Sequence, residues 1–103
     1  MQEIELVSFQ IISAVGTARS MYIEAIQEAK SGNFEQAHEL IAEGAKVFVE
    51  GHRAHKKLVT QEANNEPVNV TLLLMHAEDQ LMSAESFKII AEEFIALYER
   101  MKK

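Results

Sequence analysis

The stretch from Val70 to Met101 is apolar around more of its circumference than one helix of a small bundle can bury. At about 100° per residue, a core-facing strip runs along it and contains Leu73, Ala77, Leu81, Ala84 and Ala91. A second, neighbouring strip contains Leu72, Phe87, Ile90, Phe94 and Leu97. A monomeric three-helix bundle leaves the second strip uncovered, so we expect it to form an interface between copies of the chain.

An ionisable pair, His76 and Asp79, lies in the second strip with its members one turn apart. A carboxylate in an apolar interface is costly unless it is paired or bound to a metal ion. The nearest basic residue of this helix, Lys88, is more than two turns away. If copies of Asp79 converge on a rotation axis, Mg²⁺ or Ca²⁺ would relieve their repulsion. The alternative is that Asp79 is a rim residue exposed to water.

His76 has three possible roles. As a metal ligand it would pair with Asp79, although this i, i+3 spacing is common by chance. As a catalytic base it needs a nucleophile beside it, and Ser83 is two turns away. As a nucleophile, a neutral imidazole has a free lone pair and can accept a phosphoryl group. A phosphoprotein donor would make a nucleotide-binding loop unnecessary, and the chain has no Walker-type or kinase-type motif. The pattern alone does not choose among these roles.

The rest of the chain predicts two more long helices. With 103 residues, one proline and four glycines, the sequence predicts one domain over residues 1–103. Apolar spacing of three and four predicts helices over about 3–30, 34–63 and 70–101. Short connections then favour an all-α, up-down-up antiparallel three-helix bundle.

Turn residues separate the predicted helices. Gly32 suits a left-handed C′ position, and Asn33 is a candidate side-chain cap with Gln36 completing a capping box. The run Asn64–Pro67 ends the second helix, and Asn69 or Thr71 is expected to cap the third.

Two histidines fall in the predicted buried stripe of the second helix. That stripe contains Phe34, Ala37, Ile41, Ala45, Phe48, His52, His55 and Val59. Antiparallel packing places His52 and His55 within a turn or two of the level of His76. A metal-binding bundle that uses His52, His55, His76 and Asp79 is therefore one candidate, although it lacks the Glu-x-x-His pairs of di-iron bundles.

Charge and composition exclude several classes of protein. A formal net charge of −6 argues against nucleic-acid binding, because phosphates would repel the chain. The absence of cysteine excludes disulfides and thiolate chemistry. The longest uncharged run, Leu6–Ala18, is too short to span a bilayer, and the acidic amino terminus lacks a signal peptide's basic region. We therefore expect a cytoplasmic protein without membrane insertion.

Residues 72–82, Leu-Leu-Leu-Met-His-Ala-Glu-Asp-Gln-Leu-Met, closely resemble the signature of lactose/cellobiose-type IIA components of the bacterial sugar phosphotransferase system. The resemblance covers essentially the whole chain, in order and with family-like spacing. Further matching segments are Gly16–Ser20, Gly32–Phe34, Glu50–His52 and Phe94–Tyr98.

The resemblance implies a homotrimer of three-helix protomers. It implies that His76 takes a phosphoryl group from the phosphocarrier HPr and passes it to a IIB component, for uptake of a β-disaccharide such as cellobiose, chitobiose or lactose. It also implies that Asp79 copies share a divalent cation on the trimer axis, and we expect this cation to be magnesium. His52, Gln80 or a neighbouring subunit is expected to contact His76, and Arg19 is expected to form a structural salt bridge.

The chain departs from the family pattern beside His76. Glu78 replaces a usual glutamine, Gln80 a usual histidine, and His55 a usual glutamine; Thr17 stands where aspartate is common. Glu78 would make the surroundings of His76 more anionic. The alternative to a phosphocarrier is therefore a non-catalytic oligomeric scaffold or regulatory adaptor that has lost the phosphoryl relay.

Overall fold

The computed structural model describes residues 3–102 and folds them into three long helices. They are α1 (Glu3–Lys30), α2 (Phe34–Ala63) and α3 (Leu72–Met101), and residues 3–102 contain no strand. α2 is antiparallel to α1 and to α3: its start lies beside the end of α3, where His38 contacts Glu99, and its end lies beside the start of α3. The predicted all-α, up-down-up bundle is confirmed.

The two connections end their helices by different means. Gly32 takes a left-handed φ of 86° after α1, as predicted. Asn33 does not cap α2 with its side chain; its amide instead donates a hydrogen bond to Glu28 at 2.8 Å, so the predicted capping box is wrong. Asn65, with φ 63°, turns the chain after α2. The Thr71 hydroxyl accepts a hydrogen bond from the Leu74 amide at 3.1 Å, so α3 begins at Leu72, two residues later than predicted.

The core is a column of small and branched side chains between the helices. Buried residues that recur every three or four positions along α1 are Ser8, Ile11, Val15, Ala18, Tyr22, Ala25 and Ala29. Those of α3 are Leu74, Ala77, Leu81, Ala84, Ala91 and Ile95. Burial, and then the charge of Glu92, raise the pKa of the Tyr22 hydroxyl above its ordinary value of 10.0.

Two glycines allow α1 and α2 to approach closely. A Cβ atom on Gly44 would lie 2.6 Å from the Tyr22 ring, and one on Gly51 would lie 2.7 Å from Val15 Cγ1. The buried face of α2 therefore runs through Gly44, Gly51 and Ala54. The predicted stripe is wrong in its last third, because His52 and Val59 are exposed while Gly51 and Ala54 face the core.

α3 keeps an apolar face that its own protomer leaves uncovered. Leu72 is 82% exposed and Met82 is 66% exposed. Exposed apolar side chains also include Met75, Ile89, Ile90, Phe94, Leu97 and Met101. We call this surface, with Asp79 on it, the outward face of α3. No helix among residues 3–102 is long and apolar enough to cross a membrane.

Candidate functional site

His76 is held at the surface by the packing of its neighbours along α3. Leu74 and Ala77 are buried on either side of it in sequence, and Leu81 continues the same buried strip. Because successive helical residues are turned by about 100°, burial of those residues directs the His76 side chain outward. The structure places His76 among the exposed residues, in the second turn of a well-anchored helix. Its imidazole is accessible to an incoming protein.

His76 lies where the outward face of α3 borders the flank that meets α1. His76 and Phe87 are eleven residues apart, which corresponds to an angular separation of about 20° around the helix. The Arg19 guanidinium of α1 lies over the Phe87 ring, 5.4 Å from its centroid. Arg19 forms no ion pair with the residues described, so the predicted salt bridge is wrong; a cation–π contact takes its place.

Gln80 lies on the same flank, one turn after His76. The two positions are separated by about 40° around α3, and Gln80 is half-buried. An amide there has both a donor and an acceptor within one helical turn of the imidazole. The geometry is compatible with the predicted supporting role of Gln80, which stays a prediction.

Glu78 faces the opposite flank of α3. Two residues of helix turn the chain by about 200°, so the Glu78 side chain is directed away from His76 and towards α2. There its Oε2 lies 2.5 Å from His55 Nδ1, although the two are not aligned as in a hydrogen bond. The predicted position of His55 along the bundle axis is confirmed, because His55 contacts Glu78, which is within one turn of His76. The concern that Glu78 surrounds His76 with negative charge does not hold within one protomer.

His52 is not brought to His76 within the protomer. Its ring stacks on Phe48, with centroids 6.3 Å apart, and is tilted towards His55 at 6.2 Å. Both contacts lie along α2, on the side of α3 away from the His76 flank. Among the described residues, the contacts recorded for His52 are with Phe48 and His55 and not with His76; contact with a neighbouring copy's His76 stays a prediction.

Asp79 lies on the outward face and borders a groove between α2 and α3. The groove measures about 520 Å³ and is lined by apolar side chains with three carboxylates, those of Glu62, Glu78 and Asp79. Asp79 itself is exposed. The residues that the structure describes contain no cluster of three or more candidate ligands for a metal ion. The four residues proposed for a metal-binding bundle are instead divided between α2, which carries His52 and His55, and two different sides of α3, which carry His76 and Asp79.

The His55–Glu78 contact and the glycine face of α2 were not anticipated from the sequence. The antiparallel level argument already placed His55 near residue 78. The 200° turn between His76 and Glu78 adds that these two side chains lie on opposite flanks of α3, but it does not tell which flank meets α2. Likewise, Gly44 and Gly51 are seven residues apart, which is the spacing of one helix face.

Comparison with known proteins identifies relatives along nearly the whole chain. The family profile described as "PTS system, Lactose/Cellobiose specific IIA subunit" matches residues 6–99. The lichenan-specific phosphotransferase enzyme IIA component of Bacillus subtilis is 40% identical over 100 residues, which cover 97% of this chain and 91% of the relative.

Solved structures of similar proteins share the fold. The cellobiose-specific enzyme IIA from Bacillus anthracis superposes with a TM-score of 0.95 at 38% identity, covering 98% of this chain and 93% of that one. The chitobiose IIA of Escherichia coli, solved in complex with HPr, has a TM-score of 0.84 at 30% identity, with full coverage of both chains (100% each).

Proposed function

Because this chain belongs to the lactose/cellobiose-specific IIA family of the sugar phosphotransferase system, we propose that it is a phosphohistidine carrier. In this proposal His76 accepts a phosphoryl group from phospho-HPr and passes it to a IIB component. The single observation that carries the proposal is the exposed imidazole of His76, held by a buried strip of α3 within the segment that matches the family. A structural neighbour solved with HPr supports the choice of donor.

The chemistry asks little of the protein beyond position and charge. A lone pair on one ring nitrogen of His76 attacks the phosphorus of the donor phosphohistidine, and the phosphorus–nitrogen bond to the donor breaks in line. The transition state is loose, so its stabilisation is mainly geometric and electrostatic. The packing of α3 holds the imidazole in position, and Gln80, one turn further along the helix, would contact the ring or its phosphoryl group. Transfer to the IIB component repeats the same step with the acceptor's nucleophile.

The outward face supports a homotrimer. Its residues Leu72, Met75, Asp79, Met82 and Ser86 follow alternating spacings of three and four, the heptad pattern of helices that pack around a common axis. A protomer that exposes so many large apolar side chains gains free energy by covering them with copies of itself. The number three comes from the family resemblance.

Asp79 is the residue that would hold a cation in such a trimer. A carboxylate oxygen is a ligand that Mg²⁺ and Ca²⁺ prefer. One protomer offers a single Asp79 on this face, so the donor set fits a metal ion only when several copies converge. The ion, for which we propose magnesium, would neutralise the converging carboxylates. It would act on assembly, whereas His76 and its flank act on the phosphoryl group.

The names of the relatives support a proposal for the class of sugar. Their names refer to lichenan, cellobiose and chitobiose, so we propose that the transported sugar is a β-linked disaccharide, selected by the membrane components. In that arrangement the carrier works in the cytoplasm and meets no sugar itself.

The pairing of Glu78 with His55 favours a carrier over a scaffold that has lost the relay. Glu78 and Gln80 are the departures from the family pattern that favour the scaffold, and Glu78 is the charged one. Its carboxylate lies against α2, on the flank opposite to His76, so within the protomer it does not repel an incoming phosphoryl group.

The test is phosphorylation in a reconstituted relay. The chain is incubated with phosphoenolpyruvate, enzyme I and HPr, and its intact mass is measured. The parent and a His38→Ala control are expected to gain one acid-labile phosphoryl group, and His76→Ala none. A folded parent that gains no phosphate would overturn the carrier function and return attention to the scaffold.

A further inference from the structure

The His55–Glu78 contact joins α2 to α3 at the edge of the outward face. Both side chains are 29% exposed, and the ring nitrogen and carboxylate oxygen are 2.5 Å apart. Because His55 belongs to α2, the Glu78 carboxylate lies against a helix other than its own. A second contact of the same chemistry, His38 with Glu99 at 3.3 Å, joins the other ends of these helices.

Glu78 and Asp79 line the same groove, together with Met75 and Met82 of the outward face. A Glu78 side chain released from α2 would therefore be free to turn towards Asp79. Among the groove residues that the structure describes, His55 is the only basic side chain. Its ring nitrogen is the one basic group of the groove that lies against the Glu78 carboxylate.

We propose that His55 is a positioning residue that holds the Glu78 carboxylate against α2, so that Asp79 alone presents a carboxylate at this level of the interface between copies. The inference rests on the homotrimer proposed above. Without His55, each copy would bring a second negative charge close to the axis. Like charges that converge in a poorly solvated interface repel strongly, and one divalent cation would no longer balance them.

Four variants separate this role from a simple bridge between helices. His55→Gln and Glu78→Asp both leave a carboxylate that His55 no longer holds, the second because its side chain is shorter. Glu78→Gln and the double variant His55→Gln/Glu78→Gln both remove the carboxylate. His38→Gln is the matched control, since it breaks the equivalent contact at the far end of the same two helices.

Assembly of each variant is measured by analytical ultracentrifugation in Mg²⁺, with helix content checked by circular dichroism. The first two variants are expected to raise the dissociation constant of the assembly by roughly tenfold or more. Each copy that loses the His55–Glu78 contact contributes a change of about threefold, and these changes multiply over the copies in one assembly. Glu78→Gln, the double variant and His38→Gln are expected to assemble like the parent.

Three results would overturn the inference. If Glu78→Gln weakens assembly as much as His55→Gln, the contact matters only as a bridge. If His55→Gln and Glu78→Asp assemble like the parent, assembly does not depend on a contact between His55 and the Glu78 carboxylate. A monomeric parent would overturn the trimer and this inference together. Phosphorylation of His76 by phospho-HPr, measured in the same preparations, reports separately on the carrier function.

Discussion

The inward and outward faces of α3 are both apolar, but only the inward face is covered. The inward face consists of small and medium side chains, among them Ala77, Leu81 and Ala84, packed against α1 and α2. The outward face carries larger exposed side chains such as Leu72 and Met82, with Asp79 among them. The inward face stabilises the protomer. On our account the outward face instead serves assembly, and it lies beside the flank that carries His76.

This difference shows how a simple fold acquires a site. A helix whose inner face is fixed by core packing presents its other positions at fixed angles. His76, Glu78 and Asp79 are close in sequence, yet they are directed towards the α1 flank, α2 and the outward face respectively. Three neighbouring ionisable residues can therefore have three separate roles. The experiments that follow test that separation.

The largest effect is expected from the inward face. Leu81→Ala removes a buried side chain and leaves a cavity, so the free energy of unfolding should fall by about 2–5 kcal/mol. The matched change on the outward face, Leu97→Ala, should cost less than about 1 kcal/mol in dilute protein and should weaken assembly instead. Urea unfolding at several protein concentrations distinguishes them. Equal losses at all concentrations would contradict the division between the two faces.

Metal removal is expected to act on the outward face alone. Because Asp79 carboxylates that converge without a cation repel one another, EDTA should raise the dissociation constant of the parent assembly by roughly tenfold or more. Asp79→Asn, which removes the charge, should assemble equally well with EDTA and with Mg²⁺. Sedimentation measures both. An EDTA effect that persists in Asp79→Asn would place the metal elsewhere.

A smaller effect is expected where two glycines differ in their surroundings. A methyl group on Gly51 would contact Val15 at 2.7 Å, so Gly51→Ala should destabilise the protomer by about 1–3 kcal/mol. Gly16 has nothing within 4 Å of the same position. Gly16→Ala should therefore stabilise α1 by about 0.5–1 kcal/mol. Thermal unfolding of both variants checks the signs, and a stable Gly51→Ala would contradict the close approach of α1 and α2.

The smallest effect is expected from Tyr22 at alkaline pH. Burial and the charge of Glu92 raise the pKa of the Tyr22 hydroxyl in the folded state. Above about pH 10, the hydroxyl therefore loses its proton more readily in the unfolded chain than in the folded protein. The stabilisation from the neutral hydroxyl is complete below the unfolded pKa and is lost as pH rises through the folded pKa. Tyr22→Phe should flatten this alkaline loss, and Tyr98→Phe should leave it unchanged. Chemical unfolding between pH 8 and about 11.5 measures it; identical profiles for parent and Tyr22→Phe would contradict the assignment.

Most of the fold was predictable because long amphipathic patterns and turn residues agree. Gly32 and the Asn64–Pro67 run marked the two connections correctly. The predicted core face of α2 was wrong at His52. Glycine has no apolar side chain, so the apolar spacing pattern did not identify Gly51 as a core residue. The cap expected from Asn33 failed because its amide contacts Glu28 across the turn.

The surface positions of His76 and Asp79 were predictable from the sequence, but the surroundings of these two residues were not. Exposure of both residues follows from the strip pattern. The direction of Glu78 depends on which flank of α3 meets α2, and a single helical pattern does not distinguish α1 from α2 as the neighbour. Arg19 was expected to pair with a carboxylate, whereas the packing offers it the Phe87 ring.

The most direct test of the central claim is to locate the phosphate. The chain has four histidines, and fragmentation of the phosphorylated protein under neutral conditions identifies the one that is modified. Our account predicts one phosphoryl group, on His76, after incubation with phosphoenolpyruvate, enzyme I and HPr. Phosphate on His38, His52 or His55 instead, or a folded chain that accepts none, would contradict it.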